Sequence, residues 1–560
     1  MADKPVSLVR SLLKLNRILM LERKDFAAAC VFALLAGLVQ LSLPLGIQSI
    51  ISFVLAGTIS TSIIVLIGMV VFGVFINGLL QVRQLQIIEK VKQKLFVRYS
   101  LEYSDRLPKL NIEKLDHEYL PEVVNRYFDS VSLQKGIDKL MIDLPAAVIQ
   151  VVLGLLLLSF YHPVFIVFGL VLITIVFTII RFTSTQGLQT AYRASNFKYA
   201  VAAWLQEIAR SIKSFKYTKG TSLHMNKTDN LVSDYLASRT SYFSILLTQF
   251  WSLISFKIII TAAMLIIGAY LLVDQQINVG QFIAADIVII AIIGSIEKLI
   301  INLDTVYDSI ISVEKLSEIT EAETEQSGQL ELPVKNEGVS IAFDQVTFAY
   351  GNNKPVLKNI TFSIGAGNMV QIKGISGSGK STVLRLLTGA FKNYTGNILL
   401  NKVPVGNYEV SNLRRNTSIL LGSQDIFQGS LWENITMGNG TISIQQVNEL
   451  CEITGLTQFV KSLPQGYDTH MLPVGNKLAE NVRRNILLIR AVVAEHRLML
   501  LEDPFAHLLP ENKSNMISYI RKNTESTILI ASHDETLGQY CDQVIELSTE
   551  GEVLSIKNKA

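Results

Sequence analysis

From Phe26 to Val82 the chain carries no Asp, Glu, Lys or Arg, and Leu144 to Ile180 is equally free of them. Each run far exceeds the roughly 20 apolar residues that cross a bilayer once, so each has to double back. The polar tips "GTISTS" (Gly57 to Ser62) and "YHP" (Tyr161 to Pro163) supply the turns. A third apolar stretch, Tyr242 to Asp304, divides at "VDQQINVG" (Val273 to Gly280). Three hairpins make six spans, which accounts for a mean hydropathy of +0.36 and a charged fraction of only 17%.

The loops orient this bundle. Lys and Arg crowd the N-terminus, Arg83 to Lys139 and Arg181 to Arg239, and are absent from the three tight turns. Positive charge therefore places both termini on the cytoplasmic side. The two basic segments keep helical periodicity and read as extensions of the spans into the cytosol, with tips that reach a soluble domain. Ahead of the first span, in residues 1–25, "SLVRSLLKLNRILMLERK" sets Leu and Ile at helical intervals against Arg and Lys. That is the pattern of an amphipathic helix at the cytoplasmic interface, or of a soluble packing helix. No cleavable leader is expected, since the first apolar run outlasts the core of a signal peptide, and the segment before it is too short for a processing peptidase.

Lys257, Asp286 and Glu297 lie inside otherwise apolar helices, where an ionisable group usually faces a partner or an aqueous cavity. Two readings stay open: a substrate path, or a structural arrangement in which Lys257 pairs with Asp286 and Glu297 snorkels to an interface. Cys30, Cys451 and Cys541 are isolated singles with neither disulfide pairing nor zinc spacing, compatible with a reducing cytosolic face. A formal net charge of +3 gives no footing for nucleic-acid binding.

The membrane part is expected over 26–318. A polar, acidic linker, "EAETEQSGQLELPVKNEG", marks 319–338, and a soluble domain follows over 339–560. There "VSIAFDQVTFAY" alternates as a half-exposed strand does. "GISGSGKST" (Gly374 to Thr382) then satisfies GxxxxGK[ST], after a strand and ahead of a helical pattern. Its glycines let successive N–H groups turn toward phosphates at a helix N-terminus. Gly374, Ser376, Gly377, Ser378, Gly379 and Thr382 form the expected cradle; Lys380 is placed to reach the β/γ-phosphates and Ser381 to ligate Mg²⁺. The fold class is a six-helix all-α transmembrane bundle followed by an α/β P-loop nucleotide-binding domain.

Further residues carry a resemblance. Tyr350 stands 30 residues before Lys380, Gln424 lies in "ILLGSQDIFQGSLWENI", "LPQGYDT" spans Leu463 to Thr469, and "TILIASHD" puts His533 after an apolar strand. With six preceding spans, this order resembles ATP-binding-cassette (ABC) exporters that fuse a membrane domain to a nucleotide-binding domain. "LPLGIQSII" in the first span is similar to the branch of type I protein-secretion and peptide exporters. The resemblance implies ATP and Mg²⁺ as cofactors. It also implies that Tyr350 stacks on adenine, that Gln424 links Mg²⁺ and the attacking water to the membrane arms, and that His533 contacts the γ-phosphate. Coupling helices are implied near "NIEKLDHEYL" (Asn111 to Leu120) and "FKYAVAAWLQE" (Phe197 to Glu207). So is a dimer with a second half-transporter, identical or different, in a bacterial-type inner membrane, moving a substrate that the motifs do not name.

Two departures from that family stand out. At Leu478 to Val482, where the family has LSGGQ, the chain has LAENV. The resemblance assigns Ala479, Glu480 and Asn481 to the γ-phosphate across the dimer, yet Ala479 lacks the hydroxyl and Glu480 brings a carboxylate. Two unit charges about 5 Å apart repel by roughly 3 kcal/mol at an effective dielectric near 20. Arg483 and Arg484, three and four residues on, could draw the carboxylate away; alternatively Ala and Glu simply suit a helix's first turn. The second departure is "LMLLEDP", where Glu502-Asp503 replaces the family's Asp-Glu. Glu502 can still hold Mg²⁺, but Asp503 is one methylene short for a general base, a loss on the order of 10² to 10⁴ in the chemical step. "AHLL" (Ala506 to Leu509) also lacks the acidic residue expected at the dimer interface. The expected function is ATP-driven export with slow hydrolysis; the alternative is an ATP-gated membrane regulator that scarcely hydrolyses.

Overall fold

The computed structural model describes residues 8–55, 61–115, 120–218, 220–333, 337–351, 353–422, 424–475 and 477–559. The first hairpin tip at 57–60, residues 116–119 of the first coupling segment, 334–336 of the linker and the initial 1–7 lie outside these. The chain forms two compact units: Met1–Lys109 with Glu118–Ala322, and Leu110–His117 with Glu323–Ala560.

Among the described residues, six helices of the first unit are long and apolar enough to cross a membrane. Span 1 is bent, Arg23–Gln40 continuing as Ser42–Leu55. Pro44 opens the second piece, where its missing N–H would have closed a helical bond across the bend. Span 2 (Thr61–Arg106), span 4 (Val164–Arg210) and span 5 (Leu223–Val273) have 46, 47 and 51 residues. At about 1.5 Å per residue each is more than twice the roughly 30 Å of hydrocarbon, so each continues as an arm. Span 3 (Leu144–Tyr161) and span 6 (Val279–Ile301) are short. The second hairpin turns in two residues, His162 and Pro163. The third is closed by a reciprocal cap, Gln281 N–H donating to Asn278 Oδ1 at 2.8 Å and Asn278 N–H to Gln281 Oε1 at 2.9 Å.

The intramembrane ion pair differs from the expected one. Lys257 Nζ meets Glu297 Oε2 at 2.6 Å, not Asp286. Depth explains the choice. Counting at about 1.5 Å per residue from the shared hairpin end, Lys257 and Glu297 lie about 24 and 27 Å in, Asp286 only about 10 Å. Replacing Lys257 by Met strands the carboxylate and is expected to cost about 1–3 kcal/mol, seen as a lowered Tm in detergent. Pairing it with Glu297→Met should return most of that loss; a double variant as unstable as the single one would contradict the assignment.

The N-terminal helix Leu8–Leu21 buries Ser11 and Leu15, and Lys14 bridges Glu314 (3.2 Å) and Glu321 (3.0 Å) at the end of helix Leu303–Thr320. Leu13, Met20 and Leu21 stay exposed, so one face packs while another remains apolar and open. The second coupling segment is corrected: Phe197–Glu207 lies within the unbroken span 4 helix, and the arm turns farther on, after Arg210, through a short helix Ile212–Tyr217. Helical pattern alone gives no signal inside such a continuous helix; the break comes at Ser211, where the backbone leaves helical dihedrals.

The second unit is built on a six-stranded sheet in the order Val553–Asn558, Gln543–Leu547, Met369–Lys373, Thr527–Ala531, Leu498–Glu502, Thr417–Leu420. All pairings but the edge one are parallel, which is why "LMLLE" and "TILIA" read as unbroken apolar runs: helices cover both faces. A second, antiparallel sheet places Ile341–Phe348 between Leu357–Ile364 and Tyr394–Leu400. Part of the acidic linker is held along this unit, Gly328, Gln329 and Leu330 donating backbone N–H groups to Tyr408 and Asn407 carbonyls. The helical turn Ile112–Leu115 belongs here too: Asn111 N–H donates to Glu323 O at 3.0 Å and Lys392 N–H to Glu113 Oε2 at 3.4 Å.

Candidate functional site

In a parallel sheet the carboxyl ends of the strands gather the ligand-binding groups. Register here puts Ala531 opposite both Ile372 and Glu502. The loop after Lys373, the acids at Glu502 and Asp503, and His533 after Ala531 therefore meet at one end. A cavity of about 270 Å³ opens there, lined by Ser376, Gly377, Gly379, Lys380, Ser381 and Thr382 with Glu502, Asp503 and His533.

The loop's glycines are required by space and conformation. A Cβ on Gly374 would sit 2.5 Å from Ser378 Oγ, and one on Gly379 would sit 2.5 Å from Leu357 Cδ2 on a backbone at φ +91°. Helix Lys380–Leu387 starts directly after, so its first N–H groups point into the cavity end. Lys380, only 7% exposed, donates from Nζ to Gly374 O at 2.8 Å and Ile375 O at 2.7 Å. Burial pushes its pKa down, opposed by the charges of Asp503 and Glu502. Ser381 Oγ donates to Glu502 Oε1, and Gly422 N–H donates to Glu502 Oε2 at 2.8 Å. Both carboxylate oxygens are thereby aimed.

These residues fit a polyphosphate with a hard divalent cation. The cradle admits no Cβ at its tightest points, Ser378 Oγ is buried without a partner among the described residues, and Ser381 with Glu502 supplies the oxygen donors such a cation takes. Asp503 stands in the left-handed region at φ +41°, fixed by its N–H bond to Ala531 O at 2.9 Å. An aspartate tolerates that conformation better than most residues. Its carboxylate makes no hydrogen bond among the described residues.

Other expected residues sit apart from the cavity lining. The Tyr350 ring is edge-on to Phe348 (4.9 Å) and Phe391 (5.6 Å), its hydroxyl 3.2 Å from Thr382 Oγ1 and accepting from Arg385 Nη1 at 3.4 Å. Gln424 does not line the cavity, and its Oε1 is buried without a partner. Ala479, Glu480 and Asn481 open helix Glu480–Val492. Glu480 is clamped by Arg483 Nη2 at 2.8 and 2.7 Å and by Arg484 Nε at 3.0 Å. Arg483, then Arg484, holds its carboxyl below the usual range. Arg483 also reaches Asp425 Oδ1 at 3.3 Å, beside Gln424. Val356, Ala531 and Gly422 were missed from sequence; the first two offer apolar surface and the third only a backbone N–H, none of which leaves a motif.

The family model of the ABC transporter transmembrane region matches residues 26–296, and that of the ABC transporter matches residues 357–506. The mesentericin transport/processing ATP-binding protein of Leuconostoc mesenteroides is 27% identical over 286 residues, 50% of this chain and 39% of its own. A probable ABC transporter ATP-binding/permease protein of Haemophilus influenzae is 28% identical over 284 residues, 50% of this chain and 51% of its own. The mitochondrial iron-sulfur clusters transporter of Saccharomyces cerevisiae is 27% identical over 289 residues, 50% of this chain and 41% of its own. The matches thus span about half or less of those relatives' lengths. The solved structure of a bacterial Atm1-family ABC exporter with ATP bound has the same fold, with a TM-score of 0.85 over 96% of this chain and 95% of that one at 18% identity.

Proposed function

We propose, for a chain that belongs to the ABC transporters with fused transmembrane and ATP-binding regions, that it is an exporter subunit which binds ATP firmly and hydrolyses it slowly. One observation carries this reading: the phosphate cradle and the Ser381–Glu502 pair are intact, while the group next in line, Asp503, is short and held by a left-handed backbone.

When bound, MgATP would supply the phosphoanhydride bond and a positive charge beside the phosphates. The chain's own residues do the rest. Lys380 leaves the carbonyls of Gly374 and Ile375 for phosphate oxygens, and the helix N-terminus at Lys380 adds N–H donors. Ser381 and Glu502 would hold Mg²⁺. Tyr350, fixed by Phe348 and Phe391, offers its ring to adenine. His533 donates toward the γ-phosphate, and Gln424, outside the cavity lining in this single chain, is assigned to Mg²⁺ and the attacking water on the family resemblance alone. Asp503 takes the proton of the attacking water from a longer reach than a glutamate would need. In a homodimer the second copy brings Ala479, Glu480 and Asn481 across each site; beside a different half-transporter these residues cross into only one of the two sites. We place the chain in a bacterial-type inner membrane with both termini cytoplasmic. The names of the mesentericin relative and of the cyclolysin secretion/processing protein of Bordetella pertussis favour a peptide or protein cargo.

The test is Asp503→Asn in the full chain in nanodiscs. Asparagine accepts the left-handed backbone, so folding is preserved. ATPase turnover is expected to fall about 10- to 100-fold with ATP affinity within about twofold, which follows if the base contributes only part of its usual share. Unchanged turnover would remove Asp503 from the reaction. The same weakened apparatus favours a second reading, an ATP-gated regulator; ATP-driven uphill uptake into inverted vesicles separates the two, since a regulator shows none.

A further inference from the structure

We propose that the membrane unit carries a binding site for small carboxylate-bearing amides, short peptides among them, in a cavity of about 510 Å³ formed by one chain. The assignment rests on the exporter reading, because it names the class of cargo.

The site follows from where polar groups stand. Asn77, Gln81 and Gln84 occupy i, i+4 and i+7 of span 2, a single face of that helix. Asp143, just ahead of span 3, and Gln150 within it face the same cavity, seven residues apart. Span 1 contributes Gln40 and steps back with Ala33, Ala36 and Gly37 to leave the space. Lys298 of span 6 completes the lining. At about 1.5 Å per residue from the hairpin ends, Gln150 lies about 16 Å deep, Asn77 about 24 Å and Lys298 about 28 Å, the inner half of a roughly 30 Å core. Amides at that depth are retained where they line water or a ligand, since hydrocarbon leaves them unpaired. The rim includes a π-helical turn, Lys139–Asp143, a departure from α-geometry that concentrates at functional sites.

Counting partners then selects the ligand. Asp138 is taken by Lys92 at 2.7 Å and Asp143 by Lys139 at 2.7 Å. Gln84 donates to Ala29 O at 3.3 Å, and Gln150 accepts from Ser295 at 2.8 Å. Lys298, Gln40 and Gln81 are exposed, and their side chains have no hydrogen-bond or ion-pair partner among the described residues; Asn77 Oδ1 is buried and unpartnered among them. One ammonium without an ion-pair partner and three primary amides are therefore open to a ligand, one of them, Asn77, with a buried unpartnered oxygen. The ammonium calls for an anion that accepts hydrogen bonds, and amides, which donate and accept at once, match peptide groups. The volume falls within the roughly 300–1,000 Å³ of small-molecule sites, too little for a folded protein. The unsatisfied groups are polar throughout, which disfavours a lipid tail.

The experiment uses the full chain in phosphatidylcholine nanodiscs, with thermal unfolding read in the presence of random tetrapeptides with free C-termini, the same pool amidated, or MgATP. The free pool should raise Tm at concentrations at least about tenfold below the amidated pool. Lys298→Met should erase that difference, and Asn77→Leu with Gln81→Leu should weaken both pools, while MgATP still stabilises every variant and so reports intact folding. If Lys298→Met is not stabilised by MgATP, Lys298→Gln takes its place in the comparison. Equal response to the two pools, or no response, overturns the proposal. So does a Lys298-dependent response to added phosphatidylglycerol with none to peptides, which would make this an anionic lipid headgroup site. Absence of MgATP stabilisation in the unsubstituted chain would strike the exporter reading instead.

Discussion

ATP binding to the full chain is expected to weaken at least about a hundredfold when Lys380 is replaced by alanine. The ammonium stands ready to exchange two backbone carbonyls for phosphate oxygens. Each charge-assisted bond is worth about 1.5–3 kcal/mol, and about 1.4 kcal/mol is tenfold in affinity. Its removal also leaves the carboxylates of Glu502 and Asp503 facing a polyphosphate without the cation that balances them. A fluorescent ATP analogue titrated with and without Mg²⁺ checks this. Ser381→Ala is the companion: it deletes the hydroxyl on Glu502, so it should keep binding and lose most of the Mg²⁺ dependence. Lys380→Ala that binds within threefold of the unsubstituted chain would show that the loop's N–H groups, not the ammonium, hold the nucleotide.

The features legible in sequence were those with a one-dimensional signature. Two charge-free runs and a third apolar stretch yielded the spans and two of their turns, and GxxxxGK[ST] placed Lys380 and Ser381 where the sheet gathers them with Glu502, Asp503 and His533. What escaped depends on three-dimensional depth or on backbone. Lys257 could be matched to Glu297 only by measuring both from the same hairpin end. The second arm turns beyond its predicted segment because nothing in Phe197–Glu207 interrupts helical pattern. The hold of Gly422 on Glu502 uses an N–H that every non-proline residue has. The positive φ of Asp503 is hinted at only by the residue type. Gln424 is the opposite case, a side chain singled out by its motif that does not line the cavity in this single chain.

Restoring the signature, by Ala479→Ser, Glu480→Gly and Asn481→Gly together, is expected to raise ATP turnover of the chain alone about 10- to 100-fold. The reason is not chiefly the charge. Glu480 is drawn back by three hydrogen bonds from Arg483 and Arg484, so the roughly 3 kcal/mol of unscreened repulsion is largely offset. What LAENV lacks is donors: a serine hydroxyl and closely approaching glycine amides, each bond to a charged phosphate being worth about 1.5–3 kcal/mol. Glu480→Met alone separates the two causes, because it removes the charge and brings no donor; it should move turnover less than about threefold. The triple variant also places two glycines in the first turn of helix Glu480–Val492, at a cost of about 0.5–1 kcal/mol each, so a slightly lower Tm should accompany the faster turnover. A large gain from Glu480→Met would instead make the carboxylate the brake and the arginine clamp its regulator. If neither variant gains, the limit lies at Asp503, and lengthening it to glutamate becomes the informative change, against a left-handed backbone that suits aspartate better.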